Sequence, residues 1–265
     1  MTYKDIKTER DGRVFTITID RPAKMNAVSP NTNAEMAAAF DEFAADDDLW
    51  VAILTGSGEQ AFCSGGDISK MVDAETEDDY PIPASGYGGI TNRHDCHKPI
   101  IAAVNGFAFG GGFEMVLAAD LAVASDQAVF GLPEPKVGTA AVAGGMHRLI
   151  REVGRKTAME ILLTGDPIDA NRALELGLVN AVFPPAEVMA QARALAERII
   201  ACAPLAIQAT KQCALEGLAY GSVKDAMAAQ DAGDFDHLIA MFQSTDIKEG
   251  LAAFLERRPP HWRSC

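Results

Sequence analysis

Residues 98–125 read KPIIAAVNGFAFGGGFEMVLAADLAVAS and carry the clearest fold signal in the chain. The apolar run IIAAV at 100–104 is short and continuous, as in a buried strand. A glycine-rich turn then leads into GGFEMVLAA at 111–119, whose apolar residues and helix formers predict a helix. The next apolar run, LAVAS at 121–125, predicts another strand. The order strand, glycine turn, helix, strand indicates an α/β protein.

The alternation of strands and helices continues on both sides of this stretch. Residues 14–19 alternate apolar and threonine side chains, and the Asp11-Gly12 turn before them predicts a hairpin. An alanine-rich helix follows, with Ser29 or Asn31 available as its N-cap. The further predicted elements are strands at 6–9, 14–19, 51–56, 128–132 and 178–183 and helices at 30–45, 145–164 and 169–176.

From about Ala186 onward the strand signals stop. The amphipathic helical stretches predicted there run through roughly 186–202, 204–219, 222–241 and 246–257. Before the central stretch, residues 73–89 combine acids, prolines and glycines without periodicity, which predicts a mobile loop or a lid. We therefore expect a core domain at 1–200 and a C-terminal helical oligomerisation region at 201–265.

Composition excludes several classes of protein. The 265 residues are 48% hydrophobic and 23% charged, close to the average of soluble globular proteins. The formal net charge of −14 argues against nucleic acid as a partner. Five cysteines without any C-x-x-C indicate neither a disulfide framework nor a cysteine zinc site. The chain shows no membrane-spanning apolar run and begins unlike a signal peptide, so we expect a cytoplasmic protein.

Common catalytic and cofactor motifs are missing from the sequence. It contains no G-x-x-x-x-G-K, H-E-x-x-H or G-x-S-x-G motif. The triple glycine does not complete a dinucleotide fingerprint, because Met115 stands where the last glycine belongs. His94, Cys96 and His97 form the one metal-like cluster, and their spacing is a weak match to metal ligands. We therefore predict no metal site.

Two glycine-rich turns each follow an apolar strand, AFCSGGDI at 61–68 and NGFAFGGGFE at 105–114. The second turn opens a helix, so the amides near Gly111 are unpaired donors at the positive end of a helix dipole. Two such amides converging from two turns would form an oxyanion hole, which stabilises a carbonyl oxygen as it gains negative charge. Alternatively, each turn is only a tight strand-to-helix connection.

Two glutamates stand beside these turns. Glu114 lies in the first turn of the predicted helix in an otherwise apolar segment, and Glu134 lies between Pro133 and Pro135. Two carboxylates near one pocket can divide general acid and general base catalysis, because their proximity drives their pKa values apart. The alternatives are a helix N-terminal carboxylate for Glu114 and an exposed turn acid for Glu134.

Several further motifs occur in a fixed order along nearly the whole chain. They are TITIDRPAKMNAV (16–28), VAILTGSGEQAFCSGGDI (51–68), the stretch 98–125, FGLPEPKVG (130–138), GGMHRL (144–149), TG (164–165), A-x-x-x-G-L-V-N (173–180) and EGLAAFLERRPPHW (249–262). In these motifs the sequence resembles the enoyl-CoA hydratase/isomerase family, also called the crotonase family. The resemblance implies a crotonase-like spiral of ββα units followed by a C-terminal helical trimerisation region. It also implies homotrimers or dimers of trimers.

The resemblance assigns a substrate class and site residues. Members of the family act on acyl-CoA thioesters without a metal or redox cofactor, and coenzyme A is part of the substrate. By the family's motifs, the amides of Gly66 and Gly111 form the oxyanion hole. The family's hydratases carry two catalytic glutamates 20 residues apart, the spacing of Glu114 and Glu134. The residues expected to contact coenzyme A are Lys24, Ala27, Gly66, Asp67, Ile68, Ser69 and Gly111.

The implied reaction is reversible syn addition of water to a 2-enoyl-CoA. Glu134 would donate a proton at the α-carbon, and Glu114 would orient and deprotonate the water. The enolate-like intermediate would be held by Gly66 and Gly111, so that the transition state is stabilised more than the ground state.

One loop departs from the family's pattern, and it leaves the acyl group open. Where many hydratases read G-x-x-P-G-A-G-G, residues 138–145 read GTAAVAGG, with Ala141 and Val142 in place of proline and glycine. The AFGGGFE motif and the tail look closest to the branch of carnitinyl-CoA dehydratases, which is the first alternative. The others are an enoyl-CoA isomerase, a non-catalytic acyl-CoA-binding protein and, least favoured, a hydrolase built on Ser64 or Cys63.

Overall fold

The computed structural model describes residues 3–73, 76 and 79–264. In its first half the elements are β1 (Ile6–Asp11), β2 (Val14–Ile19), α1 (Pro30–Ala45), β3 (Val51–Gly56), β4 (Ala61–Cys63), α2 (Ile68–Asp73), β5 (Ile100–Val104), β6 (Phe107–Phe109), α3 (Gly111–Ala118), β7 (Leu121–Ser125) and β8 (Val129–Gly131). They continue with α4 (Gly145–Glu152), α5 (Arg155–Thr164), β9 (Ile168–Asp169), α6 (Ala170–Glu175), β10 (Ala181–Phe183), α7 (Val188–Ile200), α8 (Pro204–Glu216), α9 (Val223–Ala232), α10 (Asp236–Gln243) and α11 (Asp246–Glu256).

The strands form two sheets that share successive turns of the chain. One sheet has the order β1-β2-β3-β5-β7-β10, parallel except for the β1–β2 hairpin. The other has the order β4-β6-β8-β9, in which only β9 runs antiparallel. The pairs β3/β4, β5/β6 and β7/β8 each give one strand to each sheet, and a helix follows each pair. This spiral of ββα units confirms the predicted α/β crotonase-like fold.

Both faces of the larger sheet are covered at its central strands β3, β5 and β7, which explains why these strands read as continuous apolar runs. On one face Leu54 belongs to the main apolar core, together with Phe15 and Phe40. On the other face Ile53 packs in a second cluster that includes Ala192 of α7. Helix α7 therefore closes the back of the sheet, and the main core lies on the side of α1 and α3.

Local sequence signals explain where the elements begin. The hairpin register pairs Asp11 with Val14, as the turn predicted. At the start of α1 the Ser29 hydroxyl accepts a hydrogen bond from the Thr32 amide at 3.2 Å, so Ser29, not Asn31, is the N-cap. The Thr32 hydroxyl in turn accepts from the Ser29 amide, which completes a capping box.

Some predicted boundaries are wrong. The helix predicted at 145–164 is divided, since Val153 is extended and α5 starts after Gly154. The helix predicted at 222–241 is divided at Gly233, whose φ of 85° lies in the left-handed region that ends helices. The strand predicted at 178–183 is limited to β10. Strands β4, β6 and β9 were not predicted, because two or three residues are too few to show a period.

The predicted loop at 73–89 ends in a packed turn. Residues 74, 75, 77 and 78 lie outside the described residues. Tyr87 to Gly89 form a buried 3-10 turn, and the Gly88 amide donates a hydrogen bond of 2.7 Å to Asn33 Oδ1 of α1. The prediction of a mobile loop or lid is therefore wrong for this end of the segment.

The helices after α7 follow the predicted helical C-terminal part. Helix α8 packs against α10, and the Trp262 indole donates a hydrogen bond of 2.9 Å to the Ala201 carbonyl. The domain boundary at 200/201 stays a prediction. Among the described residues no helix is both long and apolar enough to cross a membrane.

Candidate active site

The two glycine-rich turns predicted from the sequence lie side by side. Strand β4 pairs in parallel with β6, and each strand leads directly into its turn. A Cβ added to Gly65 would lie 3.7 Å from the Gly111 nitrogen and 3.0 Å from the Phe109 carbonyl oxygen. Gly65 and Gly110 also have φ values of 98° and 52°, which side chains rarely adopt. Close approach and backbone conformation together explain why glycines stand at these positions.

Both predicted oxyanion-hole amides are left out of the hydrogen bonding of the helices and sheets. Gly111 is the first residue of α3, where the N–H groups of the first turn have no partner inside the helix. Gly66 forms an isolated bridge with Val28, whose amide donates to the Gly65 carbonyl at 2.9 Å. In the part of the chain that the structure describes, neither the Gly66 nor the Gly111 amide donates to a protein acceptor. Their arrangement therefore offers two N–H donors from adjacent turns.

Glu114 is a buried carboxylic acid in the first turn of α3. The residue is only 3% exposed, and its Oε1 accepts a hydrogen bond of 2.8 Å from the Gly145 amide. Burial and, to a smaller extent, the charge of Glu134 together raise the pKa of Glu114 from 4.5 to about 7, against the opposing effect of the Gly145 amide. One carboxyl group of this site is therefore held partly protonated near neutral pH.

Glu134 reaches the same glycine turn from β8, the strand next to β6 in the smaller sheet. It starts a short 3-10 turn after β8, and its Oε1 would lie 2.9 Å from a Cβ added to Gly110. Gly110 also accepts the Glu114 amide at its carbonyl, at 2.9 Å, so both glutamates border one residue. Burial raises the pKa of Glu134, and its Oε2 is buried without a hydrogen-bond partner among the described residues. The structure thus brings together the two glutamates that the sequence singled out.

Comparisons with known proteins decide the family. A family model described as Enoyl-CoA hydratase/isomerase matches residues 9–264. Carnitinyl-CoA dehydratase of Proteus mirabilis (strain HI4320) is 39% identical over 252 residues, which cover 95% of each chain. Carnitinyl-CoA dehydratase of Escherichia coli (strain K12) is 41% identical over 254 residues, which cover 96% of each chain. The chain belongs to the enoyl-CoA hydratase/isomerase family.

Solved structures agree with this assignment. The crystal structure of enoyl-CoA hydratase from Mycobacterium tuberculosis H37Rv superposes with a TM-score of 0.90 at 41% identity. The alignment covers 98% of this chain and 99% of that chain. The family and the crotonase fold predicted from the sequence are therefore confirmed over nearly the full length, whereas the roles of single residues stay predictions.

The segments expected to bind coenzyme A lie at the first glycine-rich turn, residues 61–68. The Ser64 amide donates a hydrogen bond of 3.1 Å to the Met25 carbonyl, which joins the Lys24–Ala27 segment to the turn. The Asp67 carboxylate accepts hydrogen bonds from Arg21 at 2.9 Å and from the Ser69 hydroxyl at 2.6 Å. The Asp67 amide donates to the Val28 carbonyl at 2.8 Å, so both the side chain and the amide of Asp67 are engaged within the protein. Lys24 and Ile68 are exposed and Ala27 is buried.

The loop that departs from the family's pattern faces two ways. Ala141 is buried, and its Cβ would lie 3.0 Å from a Cβ added to Gly145, the residue that holds Glu114. Val142 is 76% exposed. Of the two substitutions, Ala141 is therefore the one packed against the residue that holds Glu114.

The hydrolase alternative loses one of its two candidate nucleophiles, Cys63, in this geometry. Cys63 is completely buried at the end of β4, and burial raises the pKa of its thiol to about 12. Among the described residues no group of three or more His, Cys, Asp or Glu side chains is arranged to hold a metal ion. His97 of the metal-like sequence cluster instead lies 3.1 Å from Glu216, with its ring against His237.

Sequence reasoning missed three residues around the glycine turns. The Arg21 guanidinium binds Asp67 and the Ala27 carbonyl and so connects both expected coenzyme A segments. Tyr80 donates a hydrogen bond to the Val28 carbonyl beside Gly66. The Tyr87 ring lies against Gly111 and would overlap a Cβ placed there. Both tyrosines come from the segment 73–89, whose polar composition gave no sign that it packs here.

Proposed function

We propose that this protein is an enoyl-CoA hydratase, a hydro-lyase that reversibly adds water to a 2-enoyl-CoA. The observation that carries the proposal is the pair of buried carboxyl groups, Glu114 and Glu134, beside two adjacent amide donors. Burying two carboxyl groups together is costly, and such pairs are typical of acid–base sites. A protein that only bound acyl-CoA would need the amides without the carboxyl pair.

The amides of Gly66 and Gly111 would bind the thioester oxygen. As the water oxygen bonds to the β-carbon, the electrons of the double bond move toward the thioester oxygen and form an enolate. The fixed N–H donors stabilise this charge at the position where it develops. Losing one such donor typically costs about a hundredfold to a thousandfold in rate.

The carboxyl pair would handle the protons. Glu114 would accept the proton that water loses, and Glu134 would deliver a proton to the α-carbon, so the reaction adds the elements of one water molecule overall. This sequence needs one proton on the pair. The raised pKa of each carboxyl group, caused mainly by burial, supports such a state near neutral pH.

The proposed ligand contacts need no cofactor beyond the substrate. Coenzyme A would lie along Lys24 to Ala27 and the backbone of Gly66 to Ser69, and the thioester would enter between the two glycine turns. We propose that the enzyme works without a metal or redox cofactor, because the two amides stabilise the charge on the thioester oxygen and water addition changes no oxidation state overall.

A second candidate reaction is that of a carnitinyl-CoA dehydratase. The names of the curated relatives at 39–41% identity favour it. It would use the same oxyanion hole and carboxyl pair, and it differs from the first candidate in the acyl group. An isomerase would need only one of the two glutamates as base, so the pair favours hydration.

We further propose that the protein self-associates as a trimer or a dimer of trimers in the cytoplasm. The C-terminal helices support association, since large apolar side chains are exposed there. They are Leu215, Leu218, Val223, Met227, Ile239, Phe242, Leu251, Phe254 and Leu255. Soluble monomers rarely expose large apolar patches, and a second copy would cover them.

Product analysis with four substrates tests the proposed reaction. Crotonyl-CoA, a longer 2-enoyl-CoA, crotonobetainyl-CoA and a 3-enoyl-CoA in deuterated water are incubated with the purified protein and with a Glu134→Gln variant. Hydrated product from a 2-enoyl-CoA, dependent on Glu134, supports the hydratase. Product from crotonobetainyl-CoA alone supports the dehydratase. Conversion of only the 3-enoyl-CoA, without hydration, contradicts both.

A further inference from the structure

The Tyr87 hydroxyl is a buried polar group that the mechanism above does not use. Tyr87 is only 6% exposed, and its Oη has no hydrogen-bond partner among the described residues. Burial raises the pKa of this phenol, so it is a neutral O–H donor at physiological pH. Since buried polar groups in folded proteins are normally paired, an unpaired hydroxyl beside a binding site points to a partner on the ligand.

Tyr87 is fixed beside the carboxyl pair. Its ring lies against Gly111, and Glu114 and Glu134 both act electrostatically on the phenol. The Tyr87 amide donates a hydrogen bond of 2.8 Å to the Thr91 hydroxyl, and the next residue is held by Asn33. The hydroxyl is therefore positioned by a packed turn.

In the proposed mechanism Gly66 and Gly111 already donate to the thioester oxygen, and Glu114 already binds the added water. A hydrocarbon acyl chain beyond these groups offers no acceptor of its own. An oxygen on the acyl chain would accept the hydrogen bond. Sites that hydrogen-bond a substrate group discriminate strongly against analogues that lack it.

We propose that the Tyr87 hydroxyl donates a hydrogen bond to an oxygen carried by the acyl chain beyond the thioester, so that the substrates are oxygen-substituted acyl-CoAs. This inference rests on the proposed function, which provides the acyl-CoA ligand. Tyr87 is then a specificity-determining residue of the same site.

Binding of non-reacting ligands tests the inference. We would measure Kd by calorimetry for butyryl-CoA against 4-hydroxybutyryl-CoA and for valeryl-CoA against 5-hydroxyvaleryl-CoA. We expect the wild type to bind at least one hydroxylated ligand about tenfold more tightly than its parent. The Tyr87→Phe variant keeps the ring against Gly111 and loses only the hydroxyl, so we expect its preference to disappear.

Tyr80→Phe is the matched control. It removes a hydroxyl from the same segment, but one that already donates to the Val28 carbonyl. We expect it to change the Kd of parent and hydroxylated ligands by the same factor. Equal wild-type affinities for both members of each pair would overturn the proposal, and so would a preference that survives in Tyr87→Phe.

Turnover separates this inference from the proposed function. If Tyr87 acts on the acyl chain, the Tyr87→Phe substitution should lower kcat/KM for 4-hydroxycrotonyl-CoA about tenfold more than for crotonyl-CoA. An equal loss for both substrates would show that the hydroxyl serves the thioester oxygen or the added water, which contradicts the inference. If neither protein hydrates any 2-enoyl-CoA but the Tyr87-dependent binding preference holds, the proposed function fails and the binding inference stands.

Discussion

Glu114 combines an apolar environment with backbone hydrogen bonding from Ala143 and Gly145. The Gly145 amide holds one carboxyl oxygen, and burial holds the pKa at about 7. Glu134 lacks even that support at its Oε2. The site therefore holds two carboxyl groups in positions that favour their protonated forms. This is the property that acid–base catalysis at neutral pH requires.

Replacing either glutamate by glutamine should reduce kcat strongly. Glutamine keeps the size of the side chain but cannot transfer a proton, so we expect losses of about a hundredfold to ten-thousandfold in Glu114→Gln and Glu134→Gln. Steady-state hydration kinetics measure the effect. Glu160→Gln, an exposed position on α5, is the control and should keep full activity. Full activity in both active-site variants, with unchanged thermal unfolding, would contradict the acid–base assignment.

The raised pKa of Glu114 also predicts a pH-dependent stability difference. Between pH 4.5 and about 7 the unfolded chain loses this proton while the folded protein keeps it, so rising pH lowers the free energy of unfolding. Glu114→Gln lacks this penalty, and its amide oxygen can still accept from Gly145. We expect the variant to gain up to about 3 kcal/mol relative to the wild type between pH 4 and pH 8.

Chemical denaturation at several pH values measures that difference. Titrating groups that do not interact with Glu114 are common to both proteins and cancel. A stability difference that stays constant across this range would show that the carboxyl group has an ordinary pKa.

At the scale of elements, the glycines of the second turn set the distance between α3 and β4. A Cβ at Gly112 would collide with the Cys63 carbonyl oxygen, while one at Gly111 would overlap the Tyr87 ring. The helix can present its first amide to the other turn only because no side chain intervenes. Close packing of backbone on backbone thus builds the two-amide site.

Gly112→Ala should therefore weaken both fold and activity. We expect a loss of about 1–3 kcal/mol in the free energy of unfolding, since the helix must move away from β4. The same movement should lower kcat. Gly154→Ala is the control, because a Cβ there meets nothing within 4 Å and its φ of −58° suits alanine. Equal stability of the two variants by thermal unfolding would refute the packing argument.

Elements long enough to show a clear apolar pattern were predictable from the sequence, and the contacts between distant segments were not. Helix α1 and strands β3 and β5 follow directly from their apolar patterns, and the family motifs pointed to Glu114 and Glu134. Tyr87 could not be placed, because its packing depends on Asn33 and Gly111, far away along the chain. The divided helices depend on single residues such as Gly233, whose conformation a helical period does not reveal.

For the whole molecule, the charge and the apolar surface have different consequences. A net charge of −14 causes electrostatic repulsion between protein molecules, whereas the C-terminal helices expose apolar side chains that favour contact between copies. Phe254 and Leu255 at the end of α11 are 81% and 80% exposed. We expect these residues to be covered when the protein self-associates.

Light scattering coupled to size exclusion tests the association. We expect a mass of three or six chains of 28.1 kDa. A double variant with Phe254→Asp and Leu255→Asp should shift the mass toward the monomer. Lys248→Asp, also a change on exposed α11 surface, should leave it unchanged. A monomeric wild type at micromolar concentration would contradict the proposal.

The most direct test of the central proposal follows oxygen from water into the product. Crotonyl-CoA is incubated in water enriched in oxygen-18 with the wild type and with Glu134→Gln, and the product is analysed by mass spectrometry. We expect rapid formation of 3-hydroxybutyryl-CoA labelled at the β-carbon by the wild type and a rate lower by orders of magnitude in the variant. Absence of labelled product from the wild type, or equal rates in both proteins, would contradict it.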